Sequence, residues 1–425
     1  FIMTEPKPIV ILGAGFTGLF TALHLDRHNC SREIILIDKS DRFTFQPLLY
    51  EFFSEEMDAE QVCPRYDELL ENRNVTFVQG YIENINLPQR CVHLAAGTSY
   101  DYDYLVLALG SVVNYLGIEG AKEYSFPFRN QQDASKLQRH LRSCLQQASQ
   151  TSDSQKRQQL LTVACMGGGP AGVELAGTLG DLLPNWYADL GGDPQDLRLL
   201  LFEKDTEILQ EDINAQVRDI ARKSLQQRTL PVELCFEHRV TEVKRDRIVY
   251  QYQDQTHTLP QATFLWTAGV CCHPLIRQLP IPQTNRDRHG RVMVKPTLQL
   301  PDFPEVFAGG DCAAEQECIL PPLAQVAYQE GATIAHNINN LCDGKELTSA
   351  DVNLRGSMLK LGLKDSAANL FDRFQVTGKP GHLIRQAMYL ELLPTPIHNF
   401  KVTAEWMIDE IFQRYGSSVE MAEKA

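Results

Sequence analysis

No run of 18 apolar residues occurs anywhere in the 425-residue chain, so no segment has the length to cross a bilayer as a helix. Basic residues are in short supply: 40 Lys and Arg against 54 Asp and Glu leave a formal charge of −14. That deficit argues against a nucleic-acid partner, whose phosphates require a basic face. Cysteine is present, but not in a form that suggests cross-linking. The count of 11 is odd, and "FIMTEPKPIV" runs straight into a strand with no leader, Met3 being the expected natural start. The thiols are expected to be buried small hydrophobes in a reducing compartment. No clustered Cys/His ligand set exists, so no metal is expected. What remains is ordinary globular material, 43% apolar and 22% charged. It is long enough for two or three domains.

"KPIVILGAGFTGLFTALHLDRHNCSREIILIDKSD" passes from an apolar strand through a glycine turn into a helix and a second strand. Gly13, Gly15 and Gly18 stand in G-x-G-x-x-G spacing. The first glycine permits the turn, the second lets a pyrophosphate approach the backbone, and the third lets helix and strand pack. Phosphates would lie over the free N–H groups at the helix start. Asp38 ends the second strand, placed to accept from ribose hydroxyls.

The pattern repeats in "LLTVACMGGGPAGVELAGTLGDLL", with Gly167, Gly169 and Gly172, and the following strand "LRLLLFEKD" ends at Glu203. The fingerprints begin 154 residues apart (167 minus 13), whereas one βαβ unit needs about 30 residues. Two nucleotide domains follow, most economically one for a flavin dinucleotide and one for a nicotinamide dinucleotide. "FPEVFAGGDCA" places Gly310 and Asp311 at a strand's carboxyl end, where a carboxylate can hold a ribityl chain. Glu203 favours NADH, since it would repel the 2′-phosphate of NADPH; Lys204 beside it leaves NADPH open. In the helix after Asp311, "PPLAQVAYQEG", Gln325 and Gln329 stand four apart on one face. Ala324 and Ala327 keep that face open, which suits a flat, apolar ring with two carbonyls. Neutral amides desolvate at lower cost than lysine.

These segments, with "RFTFQPLLYE", "YLVLALGS", "WTAGV" and "GSMLKLG", resemble the type II NADH:quinone oxidoreductases over nearly the whole chain. "PLLYEFFSEEM" and "PNWYADLGGDPQDL" further resemble the cyanobacterial and plastid branch. The resemblance implies an α/β fold of two Rossmann-like domains and a small C-terminal membrane-associating module. It implies FAD, NADH or NADPH, a membrane quinone of plastoquinone, menaquinone or demethylphylloquinone type, and two-electron transfer without proton pumping. It also implies a homodimer, peripheral on the cytoplasmic face of a plasma or thylakoid membrane. The expected flavin contacts are Gly13, Gly15, Phe16, Thr17, Gly18, Asp38, Lys39, Pro47, Leu48, Ala108, Gly110, Gly310, Asp311, Ala324 and Gln325. For the nicotinamide dinucleotide they are Gly167, Gly168, Gly169, Pro170, Ala171, Gly172, Glu174, Glu203 and Gly269. The catalytic residues implied are Glu174, beside the nicotinamide, and Gln325 and Gln329 at the quinone.

Expected boundaries are 1–115 with 290–350 for the flavin domain, 116–289 for the nicotinamide domain and 351–425 for the C-terminal module. Residues 381–416 read as two helices broken at Pro394 and Pro396. Ala404, Ile408, Ile411, Phe412 and Tyr415 form an apolar stripe on the second. Trp406 and Tyr389 suit a lipid interface, and Arg385, His398 and Lys401 suit headgroups; a core or dimer-forming helix pair explains the stripe equally well. The rival readings are a sulfide:quinone reductase or other disulfide-reductase-like flavoprotein, and a non-catalytic NADH-sensing flavoprotein. Thiol chemistry would require C-x4-C or C-x-x-C at the flavin, and neither stands there; Cys271 and Cys272 are an adjacent pair of the kind that forms strained rings and is rarely catalytic, and Cys312 and Cys318 lie near the expected flavin strand.

Overall fold

The computed structural model describes residues 6–210, 213–354, 356–370 and 374–394. Two parallel sheets carry it. The first orders its strands Val306–Ala308, Tyr104–Leu107, Ile9–Leu12, Ile34–Asp38, Val75–Gln79. The second runs Val232–Cys235, Arg198–Phe202, Thr162–Met166, Thr263–Trp266, Phe126–Pro127. In both, the central strand is the one that enters a glycine turn. Ile9–Leu12 and Thr162–Met166 are buried at every position, as parallel strands covered on both faces must be. That is why each reads as an unbroken apolar run rather than as alternation.

The first sheet is completed from a distance, since Val306–Ala308 arrives only after the whole second sheet has been built. The two passages of chain between the sheets pair with each other, Ser111–Val113 antiparallel to Val270–Cys272. A third layer follows. Strands Gly356–Gly362, Asp365–Leu370 and Phe374–Val376 form an antiparallel sheet, and the helix Gly378–Glu391 lies across it. Leu359, Leu361 and Ala367 of this sheet belong to the apolar core of the second domain.

Two glycines set the close packing here, one between the third layer and the second domain and one within the layer, between its helix and its sheet. A Cβ on Gly177, inside the helix Pro170–Ala188, would fall 2.2 Å from the Leu361 carbonyl oxygen. One on Gly381 would fall 2.3 Å from the Ser366 carbonyl oxygen. Charge finishes the joint. Arg385 has no exposed surface; its guanidinium pairs with Glu51, also fully buried, and donates to the Pro47 carbonyl. Lys360, equally buried, reaches Glu51 at 3.2 Å and Glu56 at 2.5 Å. Buried charges demand such partners, because an uncompensated one is strongly destabilising. This corrects the expectation that Arg385 meets headgroups and Tyr389 lipid: Tyr389 is 9% exposed and packs edge-on to Phe45 at 5.7 Å. His398, Lys401, Trp406 and the stripe from Ala404 to Tyr415 lie outside the described residues.

Gly177→Ala should force the third layer off the helix, because its methyl meets main chain that cannot rotate away. The expected destabilisation is about 1–3 kcal/mol, read as a lower urea midpoint and earlier proteolytic loss of residues beyond 350. An unchanged midpoint would refute close docking.

Candidate functional site

At the first glycine turn Gly13 has φ +92°, and a Cβ there would overlap the Ala108 carbonyl at 2.3 Å. A Cβ on Gly18 would lie 1.8 Å from the Gly13 carbonyl oxygen, so the helix can enter this close to its strand only without a side chain. Gly15 differs: it is exposed, and nothing lies within 4 Å of where its Cβ would be. It precedes the helix Phe16–Arg27, whose start has no side-chain cap, leaving N–H groups for an anion. Asp38 Oδ2 accepts from Ala14 N at 2.7 Å and Oδ1 from Ser40 N at 2.8 Å, so its carboxylate is fixed at the turn's edge. Lys39 is exposed beside it, and its carbonyl accepts from Gln79.

The second turn is built alike. Gly167 has φ +109°, and a Cβ on Gly172 would lie 1.8 Å from the Gly167 carbonyl oxygen. Gly169 faces open space before the uncapped helix Pro170–Ala188, whose first turn presents Pro170 and Ala171. Glu203 accepts from Gly168 N at 2.6 Å and Asp205 N at 3.1 Å. Lys204 points away into solvent, 3.9 Å from Asp205. Gly269 is exposed at φ +108° on the passage between the sheets.

Asp311 stands at the end of Val306–Ala308 and is held from outside: Ser111 Oγ donates to it at 2.7 Å, and Arg129 donates to Ser111 at 2.9 Å. Ala108 ends the neighbouring strand, 7% exposed, and Gly110 follows at φ +64°. A Cβ on Gly310 would be 2.6 Å from Thr17 Oγ1, which brings the Asp311 turn onto the first fingerprint helix. Gly310 N donates to Glu330 Oε2 at 2.5 Å. Phe16 lies edge-on to Phe43 and Phe45, at 5.1 and 5.2 Å, beneath the turn that carries Pro47. Leu48 has no accessible surface and supports that turn from the core.

Glu174, in the second turn of Pro170–Ala188, is 8% exposed. Its Oε1 accepts from Lys360 N at 2.8 Å and lies 3.9 Å from Arg385. Burial pushes its carboxyl up to about 7, against the pull of Arg385 and the Lys360 N–H. Gln325 and Gln329 sit half-buried near the start of Ala324–Cys342. Gln325 Nε2 donates to the Gly356 carbonyl at 3.1 Å. Gln329 Nε2 donates to the Asn353 carbonyl at 3.1 Å, and its Oε1 accepts from Asn353 N at 2.9 Å. Both amides thus bond the segment leading into the third layer.

Sequence reasoning missed the buried set Glu51, Lys360 and Arg385, and Glu330 as well. The one available signal was chemical: an acid among the small and apolar residues of "AQVAYQEGATIA" is hard to leave unpartnered. The two buried cysteines near the flavin strands, Cys272 and Cys312, offer little reactivity. Cys312 is fully buried, its thiol donates to the Leu107 and Gly309 carbonyls at 3.3 Å, and burial raises its pKa. Burial likewise pushes Cys272 up to about 11, and no disulfide links any of the eleven.

Two uncapped helix starts behind side-chain-free cradles, each with a carboxylate fixed at its edge, fit two dinucleotides. Asp311 and the uncapped start of Ala324–Cys342 fit the remaining length of FAD. The pyridine nucleotide-disulphide oxidoreductase family matches residues 7–331. Demethylphylloquinone reductase NdbB of Synechocystis is 33% identical over 95% of this chain and 97% of its own. The Arabidopsis alternative NAD(P)H-ubiquinone oxidoreductase C1 is 30% identical over 94% and 80%. The structure of NDH2 from Plasmodium falciparum in complex with NADH superposes with a TM-score of 0.84 at 18% identity, covering 95% of this chain and 99% of that one. The chain therefore belongs to the pyridine nucleotide-disulphide oxidoreductase family and, within it, to the type II NADH:quinone oxidoreductases.

Proposed function

We propose that the protein passes two electrons from NADH through FAD to a membrane quinone without pumping protons. One observation carries the reading: Arg385 touches both Glu174, on the helix that opens the nicotinamide site, and the Pro47 carbonyl, on the turn beside the flavin site. The two dinucleotide sites are thereby joined through one buried cation. Bound FAD supplies hydride acceptance and two-electron delivery; the chain supplies proximity and orientation. Glu203, fixed by Gly168 N and Asp205 N, favours the free ribose of NADH over the phosphate of NADPH. Glu174 faces the nicotinamide, and as a carboxylate it favours the positive charge that develops there when hydride leaves. Gln325 and Gln329 frame the quinone slot with the 353–356 segment. The acceptor is of the demethylphylloquinone class, in keeping with the name of the Synechocystis relative. Buried thiols at Cys272 and Cys312 weigh against the disulfide-reductase and sulfide-oxidising alternatives.

Ile319, Leu323 and Leu354 are exposed around the glutamine end of Ala324–Cys342. We assign this end to the lipid surface, on the cytoplasmic face, with residues beyond 394 completing the contact and pairing two copies. No described helix is long and apolar enough to cross a membrane.

Replacing Gln325 and Gln329 together by Ala should lower quinone reduction by about tenfold for each lost hydrogen bond of ~1.4 kcal/mol. Flavin bleaching by anaerobic NADH should persist, and parallel loss of both half-reactions would sink the slot assignment. Burial places the Glu174 carboxyl at about 7, so its ionised share grows and bleaching by NADH should quicken as pH rises through about 7. In Glu174→Gln that rise, about tenfold, should vanish; a variant with the parent's profile would exclude the role. Truncation after 394, which spares Arg385, should shift the enzyme from liposomes to the supernatant while short-tailed quinone turnover continues. Continued sedimentation with liposomes would place the contact elsewhere.

A further inference from the structure

Glu330 is a carboxyl that the electron route does not use. It is 8% exposed, sits on Ala324–Cys342, and points at the turn between Val306–Ala308 and Asp311. Its Oε2 accepts the Gly310 N–H at 2.5 Å. The fit behind that turn is tight: a Cβ on Gly309 would fall 3.1 Å from Thr17 Cγ2 and 3.2 Å from Glu330 Oε2. Thr17 lies in the first turn of the helix whose start takes the pyrophosphate. Asp311 is thus held on two sides, by Ser111 at its carboxylate and by Glu330 through the main chain of the preceding residue.

We propose that Glu330 is a positioning residue of the flavin site that ties FAD retention to proton concentration: its carboxyl oxygen secures the Gly310–Asp311 turn in either form, and the ionised form also repels the dinucleotide. The inference rests on the flavin site assigned above. The charges facing Glu330 explain the direction. Asp311 and Glu315 are acids, and the one facing cation, Arg291, is already paired with Asp287 at 2.8 Å. FAD adds two phosphate charges at the start of the neighbouring helix. Burial has already pushed the carboxyl up to about 7, with Asp311 and Glu315 adding to it against the Gly310 N–H and Arg291. Bound FAD raises it further, so binding takes up a proton. By linkage, retention weakens as pH rises through the neutral range.

The test is release of FAD from the holoenzyme on dilution, followed as the gain in flavin fluorescence between pH 6 and 9. The parent should release FAD about tenfold faster at the alkaline end, equivalent to one pKa unit between the loaded and empty sites. Glu330→Gln keeps an oxygen for Gly310 N–H and cannot ionise, so its release should stay within about twofold across the range. Glu330→Ala removes the tie and should release faster at every pH. A parent without pH dependence, a Glu330→Gln enzyme with the parent's slope, or a Glu330→Ala enzyme that retains FAD as the parent does would each overturn the proposal. Protein that carries no flavin at all would instead overturn the assignment of the flavin site.

Discussion

A guanidinium cut off from water must find negative charge within reach, and Arg385 finds it on two domains at once. Glu51 comes from the excursion after the first fingerprint, Glu174 from the helix of the second, and Arg385 itself from the third layer. Because an unpaired buried ion is so unfavourable, neither the first domain nor the third layer can withdraw without stranding a charge in the other. The third layer therefore ties the two nucleotide-fold domains together as well as packing on the second of them. Its strand Gly356–Gly362 also meets the helix Ala324–Cys342, through the Gly356 carbonyl that Gln325 holds.

The same cluster explains why two buried glutamates titrate at opposite ends of the scale. Burial raises both. Glu51 faces the guanidinium of Arg385 and the ammonium of Lys360 directly, and together they hold it down at about 2. Glu174 sees Arg385 only at 3.9 Å and Lys360 only through its main-chain N–H, so burial prevails and leaves it at about 7. One acid becomes a fixed charge of the scaffold and the other a group that titrates near neutral pH. Number and distance of cations, rather than burial, separate the roles.

The parts that were legible in the sequence are those whose cause is local. Gly13 has a left-handed φ and Gly18 meets the Gly13 carbonyl five residues back, both local demands, and the apolar strand and terminal acid flank the turn in order. Arg385 was illegible for the opposite reason. On a helix with apolar neighbours a cation reads as a surface residue, and nothing near it announces Glu51, 334 positions earlier. Tyr389 was misread the same way, since an aromatic suited to an interface is equally suited to a core edge beside Phe45. Glu330 sat within a stretch whose glutamines drew notice, yet its partner is the N–H of Gly310, and no spacing rule connects them.

The two fingerprints also differ in a way that their glycine spacing hides. In each, the acid at the end of the second strand accepts the N–H of the residue after the first glycine: Asp38 from Ala14, Glu203 from Gly168. That bond aims the carboxylate before any ribose arrives, which lowers the ordering cost of binding. The longer acid leaves less room. A Cβ on Gly168 would fall 2.9 Å from Glu203 Oε2 and 3.0 Å from Ile208 Cγ2. The first turn carries an alanine at the equivalent place, opposite an aspartate one methylene shorter. The middle glycine of "GGG", against the alanine of "GAG" in the first turn, thus goes with the glutamate at position 203, and the acid and the glycine have to be read as one unit.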